Sequence, residues 1–179
     1  RVDRTDHEAV GLRGGGDVLG GKDVSRAVAI ANGTICAALR GHDVADQPGV
    51  DAILDGLDSD PQRSTIGGNT TVATSLAVLH AAAASRGIPA WRLLNPAPTR
   101  IPRPQIQILG GGAHAANRTA VQDFMAYPMS ATSIDDALLH VAEVYRAVGA
   151  ILAGRGPTRG VADEGGHWPE VAGTEDALD

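Results

Sequence analysis

Two glycine-rich stretches of the chain carry polar side chains that could do chemistry. The first runs from Gly110 to Pro128, and the second reads Asp163-Glu164-Gly165-Gly166. The first stretch presents five candidate polar residues, His114, Asn117, Arg118, Gln122 and Asp123. Carboxylates held at neighbouring strand ends suit general acid catalysis or metal binding, and glycines let the backbone approach a ligand. The alternative is that these acidic residues are ordinary solvated turn residues.

Short apolar segments must position these side chains. Residues 106–109 alternate in polarity before the first glycines, and residues 124–127 form an apolar run that Pro128 stops. Ser133 and Asp136 resemble a capping box, and apolar residues then recur every 3.6 positions up to residue 152, which predicts a helix. The second half of the chain is therefore predicted to alternate strand and helix.

The first ninety residues are predicted to be mostly helical. Apolar residues recur at helical spacing after Asp23, after Asp46 and over residues 70–86. Both aspartates suit an N-cap position, and Gly87 closes the third helix. The proline-rich segment 96–104 then marks a boundary between modules.

Composition limits the class of protein. The chain has 179 residues, is 43% hydrophobic and carries a net charge of -6, so a nucleic-acid partner is not expected, whereas a small anionic substrate is possible. Cys36 is the only cysteine, which excludes a disulfide framework. The longest apolar run, residues 76–84, is far shorter than the roughly 20 residues of a membrane span, and no signal peptide is visible. We expect a cytoplasmic protein with no membrane partner.

Two nucleotide-binding patterns are incomplete in this sequence. Gly16-x4-Gly21-Lys22 approaches a P-loop, but Asp23 replaces the Ser or Thr that binds Mg²⁺, and no apolar strand precedes it. Gly110-x-Gly112-x-x-Ala115 approaches a dinucleotide fingerprint, but Pro128 interrupts the helix that should follow. Neither pattern is taken as a nucleotide site.

An ordered series of motifs covers almost the whole chain. It comprises Gly67-Gly68-Asn69, Ser75-Leu76-Ala77, Arg86-Gly87-Ile88-Pro89, Pro102-x-Pro104, Gly111-Gly112-Ala113-His114-Ala115, Gln122-Asp123-Phe124-Met125, Glu143-Val144-Tyr145, and Asp163-Glu164-Gly165-Gly166 with Pro169. This series resembles the enolase family. The resemblance implies an α+β capping domain, represented mostly by its helical part in residues 1–95. The first portion of an enolase-type α/β (TIM-like) barrel would follow in residues 96–179.

The resemblance also implies a reaction, the dehydration of 2-phosphoglycerate to phosphoenolpyruvate by a homodimer that uses two Mg²⁺ ions. By similarity, Glu164 would be the general acid that protonates the leaving hydroxyl, and Asp123 would assist it. Gln122 would contact the substrate, and His114 would close over its phosphate. The carboxylate ligands of the metal would lie outside this chain, so no metal-binding residue is assigned. A carboxyl kept protonated by a neighbouring carboxylate could serve as the acid.

Several residues depart from the family pattern. Residues 2–7 replace the serine-containing loop that reaches the second metal, and Asp123 replaces a glutamate. Gln107 and Gly110 replace asparagines, and His167 replaces an apolar residue beside the acid.

Lysine occurs once, at Lys22, so the barrel part has no lysine to act as the base. A barrel takes about 250 residues, and we therefore expect a divergent family member that is either a fragment or a truncated homologue and is inactive by itself. Two alternatives stay open. The first is an enolase-like carboxyphosphonoenolpyruvate synthase of phosphonate or phosphinate biosynthesis, and the second is a non-catalytic remnant or binding protein.

Overall fold

The structure is a computed structural model that describes residues 8–116, 119–157, 159–162 and 164–179. The chain divides into two compact units, with the division between residues 98 and 99 of the sequence.

The N-terminal unit is helical over most of its described length. Its helices are α1 (Ser25–Leu39), α2 (Gln47–Leu57), α3 (Gly68–Ser85) and α4 (Ala90–Leu94). The first three correspond to the three predicted helices, within about two residues at each end. Helix α4 was not predicted, because five residues are too few to show helical periodicity.

The starts of α1 and α2 differ in how they are capped. The prediction that Asp46 caps α2 is confirmed, since its carboxylate accepts the backbone N–H of Gly49 at 3.1 Å. The prediction for Asp23 is wrong by one position. The N-cap of α1 is Val24, whose side chain makes no capping hydrogen bond. Asp23 lies one residue before this N-cap, and its carboxylate accepts the N–H of Ser25. The middle of α1, Ala31–Ile35, is a π-helical turn, which the spacing of apolar residues did not indicate.

Helices α1, α2 and the start of α3 enclose the core of this unit. Ile35, Val50, Leu54 and Ile66 are each no more than 3% exposed. Four partly buried side chains surround them: Ile30, Leu39, Leu57 and Val78. Burial of each such side chain stabilises the fold by about 1.5–3 kcal/mol, which explains why these periodic positions form helices in spite of several glycines.

A buried carboxylate organises the connection between α2 and α3. The side chain of Asp58 accepts backbone N–H groups from Thr65 at 2.8 Å, Ile66 at 2.9 Å and Asp60 at 3.2 Å. The hydrogen bond from Ile66 is the largest of the effects that hold the pKa of Asp58 below its ordinary value, while burial opposes them. The folded-state pKa is therefore lower than the unfolded value of about 3.9. It follows that the ionised carboxylate stabilises the fold above about pH 4, and that this contribution is lost as the pH falls through the folded pKa.

Asp58→Asn is expected to lower the melting temperature of the N-terminal unit at pH 7 by about 5 °C or more. The new amide group would present N–H donors to backbone N–H donors, and an unmade buried hydrogen bond is costly. Thermal unfolding followed by circular dichroism at pH 7 and in steps below pH 4 tests this, because the difference should shrink as the parent's Asp58 becomes protonated. Asp55→Asn is the control. Asp55 is exposed and forms an ion pair with the Arg63 guanidinium, so equal losses in the two variants would contradict the role given to Asp58.

The C-terminal unit is built on two strands and a long helix. Strands β1 (Ile106–Gly110) and β2 (Asp123–Ala126) pair antiparallel, and the helices are α5 (Ile134–Arg155) and α6 (Thr174–Leu178). The pairing places Ile106 opposite Ala126 and Gly110 opposite Asp123, with a bulge near Ile108. Because the strands are antiparallel, Asp123 lies at the start of β2, opposite the end of β1. Asp123 is therefore at a strand end, as predicted.

Helix α5 covers one face of this strand pair. The core contains Ile108, Leu109, Val141 and Leu152. Ser133 accepts the N–H of Asp136 at 3.1 Å, which confirms the predicted start of the helix. In the described part of the chain, α5 is also the one helix long and apolar enough to cross a bilayer by length and composition. A helix that packs on a sheet passes the same test, and two of the side chains of α5 lie in the core described above.

Candidate active site

The hairpin of β1 and β2 positions the first polar stretch. The connection between the two strands begins with a 3₁₀ turn, Gly112–Ala115. Two backbone hydrogen bonds close it, from Gly111 N–H to the carbonyl of Gln122 at 2.7 Å and from Gly112 N–H to the carbonyl of Thr119 at 3.1 Å. Gln122 and Asp123 therefore lie directly beside the end of β1.

A tight turn carries the second polar stretch to the same place. The turn is closed by hydrogen bonds from Ala162 N–H to the Gly166 carbonyl at 2.8 Å and from Gly165 N–H to the Ala162 carbonyl at 3.0 Å. His167 then pairs in parallel with β1, donating to Ile108 and accepting from Gly110. Glu164 is consequently presented next to the C-terminal end of β1.

One amide side chain joins the two stretches. Gln107 of β1 is only 9% exposed, and its Nε2 donates to the carboxylate of Asp123 and lies 3.5 Å from Oε2 of Glu164. Its Oε1 accepts the N–H of Gly166 at 2.8 Å. Asp123 and Glu164, which are 41 positions apart in the sequence, therefore approach the same nitrogen atom.

The glycines of the site serve close packing of the chain against itself. A Cβ added at Gly110 would overlap the side chain of Ala162, and one at Gly111 would overlap the carbonyl oxygen of Val121. A Cβ at Gly166 would lie 2.5 Å from Oε1 of Gln107. The expectation that these glycines leave room for a ligand is therefore wrong at these three positions, because protein atoms already fill that space.

His167 points away from the carboxylates and towards α5. Its ring stacks on Tyr145 with centroids 4.0 Å apart, and its Nε2 lies 3.0 Å from the Tyr145 carbonyl oxygen. Gly149 leaves space for the ring, since an added Cβ would be 2.9 Å from its Cε1. The histidine thus occupies a packing position between sheet and helix. Tyr145 packs against the core and also donates its hydroxyl to the Gly165 carbonyl at 3.0 Å.

The other predicted site residues are only partly described. Gln122 is exposed and adjoins Asp123. His114 belongs to the 3₁₀ turn that follows β1, and its side chain lies outside the description. Three further residues and one segment singled out in the sequence also lie outside the described residues: Asn117, Arg118, Asp163 and the segment 2–7.

The described residues do not make up a magnesium site. No three His, Cys, Asp or Glu side chains converge within the described ranges. The two carboxylates that do converge receive an N–H donor from Gln107, where a metal site would offer a further oxygen ligand. No step of the chemistry is therefore assigned to a metal held by this chain.

Gln107 is the functional candidate that sequence reasoning missed. It stood out only as a departure from the family pattern, although a polar residue between Ile106 and Ile108 in a buried strand was a usable signal. Buried polar side chains are normally hydrogen-bonded, so such a residue needs a partner, but the sequence could not say which one.

Comparisons with known proteins cover both units. The model of the enolase N-terminal domain matches residues 3–94, and that of the enolase C-terminal TIM barrel domain matches residues 98–179. A curated enolase from Methanothrix thermoacetophila is 44% identical over 176 residues, which is 97% of this chain and 42% of that protein. The chain thus spans less than half the length of this relative. It belongs to the enolase family, with the family's N-terminal capping domain followed by the start of its C-terminal TIM barrel.

Proposed function

We propose that this chain carries the general-acid side of an enolase active site. The complete protein, meaning this chain together with the rest of an enolase barrel, would catalyse the reversible dehydration of 2-phosphoglycerate to phosphoenolpyruvate. Family membership supports the reaction class. The observation that carries the proposal is the convergence of Asp123 and Glu164 on the amide nitrogen of Gln107.

The chemistry assigns a distinct task to each residue. Hydroxide is a poor leaving group, so Glu164 donates a proton to the C3 hydroxyl oxygen as the C3–O bond breaks and water departs. The electron pair of the C2–H bond becomes the new π bond between C2 and C3. Asp123 adjoins the acid and assists it, Gln122 contacts the substrate, and the side chain of His114 closes over the phosphate.

The base for the C2 proton must come from the remainder of the barrel. The only lysine of the chain is Lys22, in the N-terminal unit. The Mg²⁺ ions expected of the family would stabilise negative charge on the substrate, with ligands supplied by that same remainder. We further propose a cytoplasmic homodimer that acts on a small phosphorylated anion.

The formation of phosphoenolpyruvate from 2-phosphoglycerate, followed by its absorbance, tests this proposal. We expect turnover by the complete protein with Mg²⁺ and none by the 179-residue chain. Turnover by the chain alone would contradict the assignment of the base to the rest of the barrel. No turnover by a complete protein that has the lysine would instead favour the carboxyphosphonoenolpyruvate synthase alternative, for which the shorter carboxylate at Asp123 is the supporting observation. A complete protein without that lysine would favour the non-catalytic alternative.

A further inference from the structure

We propose that Gln107 is a positioning residue, which sets the separation and orientation of the Asp123 and Glu164 carboxylates. The inference rests on the proposed function, because that function gives the two carboxylates their catalytic task. Its physical basis is independent of the reaction. It consists of the three contacts of one buried amide, two from its nitrogen to carboxylates and one from its oxygen to the backbone of the turn that carries Glu164.

The amide of Gln107 is itself held in one orientation. The Gly166 N–H can only donate, so it fixes Oε1 as the atom facing the turn, and Nε2 must then face the carboxylates. The Gly166 N–H is buried, so loss of its acceptor would leave a donor unsatisfied. A rotation that exchanged oxygen and nitrogen would bring N–H against N–H, and oxygen against carboxylate oxygen.

The contact with Asp123 spans a gap of fixed size. Gln107 and Asp123 belong to paired strands, so the distance between their backbones is set by the register of β1 and β2. A three-carbon amide side chain at 107 and a two-carbon acid at 123 fill that gap. Moving one methylene group from residue 107 to residue 123 would keep the combined length and would displace the point at which the two groups meet.

This relation defines a rescue experiment. Gln107→Asn and Asp123→Glu are each expected to lower kcat of the complete protein about 100-fold, because a misplacement of about 1 Å at a reacting group costs on that order. The double variant is expected to lose about 100-fold, far less than the roughly 10⁴-fold product of the two single losses, because the hydrogen bond between residues 107 and 123 is restored although its position is displaced. A double variant whose loss equals the product of the two single losses would overturn the proposal.

Gln107→Leu and Gln105→Leu form a matched pair. Gln105 is exposed and lies two residues before Gln107 in the same segment, so its replacement makes the same chemical change away from the carboxylates. We expect Gln107→Leu to lower kcat about 100-fold with KM within threefold, and Gln105→Leu to keep kcat within twofold. Equal kcat values in the two variants would overturn the proposal. If Gln107→Leu does not fold, the rescue experiment above still tests the positioning role of Gln107.

A spectroscopic measurement separates this inference from the proposed function. In protein labelled with [¹⁵N]glutamine, the side-chain NH₂ signals of Gln107 should shift in both Asp123→Asn and Glu164→Gln, because each substitution alters an acceptor of that group. Unshifted signals in both variants would overturn the positioning role even if the enzyme dehydrates 2-phosphoglycerate. Shifted signals in a protein without that activity would support the positioning role and reject the proposed reaction.

Discussion

Glu164→Gln is expected to lower the rate of dehydration of 2-phosphoglycerate by the complete protein about 10²–10⁴-fold, while exchange of the C2 proton continues. Glutamine keeps the shape of the side chain but has no acidic proton to give to the leaving hydroxyl, and general acid catalysis contributes about that factor. The base that removes the C2 proton is a separate group, so exchange does not require Glu164. Phosphoenolpyruvate formation and loss of deuterium from C2-labelled substrate measure the two steps independently.

Glu170→Gln is the control for this experiment. Glu170 follows the same turn six positions later and forms an exposed ion pair with Arg159 at 2.8 Å. Removing its charge should leave the dehydration rate within about twofold of the parent's rate, since exposed ion pairs contribute little to stability. Loss of both elimination and C2 exchange in Glu164→Gln would refute the acid assignment, and so would an unchanged elimination rate.

Gly111→Ala is expected to destabilise the C-terminal unit by about 3 kcal/mol, at the upper end of overpacking effects. The added methyl group would overlap the carbonyl oxygen of Val121 and the hydroxyl of Thr119. The first of these is backbone, which cannot rotate away as a side chain can. The hydrogen bond from Gly111 to Gln122 must therefore lengthen or break, and Gln122 and Asp123 must move with it. Activity of the complete protein should fall together with stability.

Urea unfolding of the chain followed by tryptophan fluorescence measures this effect. Trp91 lies in the N-terminal unit and Trp168 in the C-terminal unit, so a Trp91→Phe background reports on the C-terminal unit alone. Gly154→Ala is the control, because Gly154 lies in α5 with no atom within 4 Å of an added Cβ. Alanine there should stabilise the helix by up to about 1 kcal/mol. A urea midpoint for Gly111→Ala at or above that of the parent would contradict the packing described for the connection between β1 and β2.

Most of the secondary structure could be predicted because its causes are local. Helix α5 starts where Ser133 accepts the N–H of Asp136, three residues later, and its apolar residues recur along one face. Asp46 likewise accepts the N–H of Gly49, three residues later, at the start of α2. Interactions over three or four residues are visible in the sequence. The family was recognised for a related reason, since the order of several short motifs along the chain is itself a property of the sequence.

Two departures from the family pattern are seen to be in contact only in the structure. Asp123 is one methylene shorter than the glutamate that the resemblance implies at its position, and Gln107 is one methylene longer than the implied asparagine. In the sequence they stand 16 positions apart, and no local pattern relates one to the other. In the structure they are hydrogen-bonded to each other across the strand pair. Asp123, the departure that supports the synthase alternative, is therefore hydrogen-bonded to a second departure from the family pattern.

The sequence by itself determined helices α1, α2, α3 and α5, the two apolar strands and the family. Only the tertiary structure decided that β1 and β2 run antiparallel, that His167 faces α5, and that Gln107 joins Asp123 to Glu164. The physical reason is the separation along the chain. The contact of Gln107 with Gly166 spans 59 positions, and no local preference specifies a partner at that distance. Strand register brings those atoms together, and register depends on how the whole unit buries its apolar side chains.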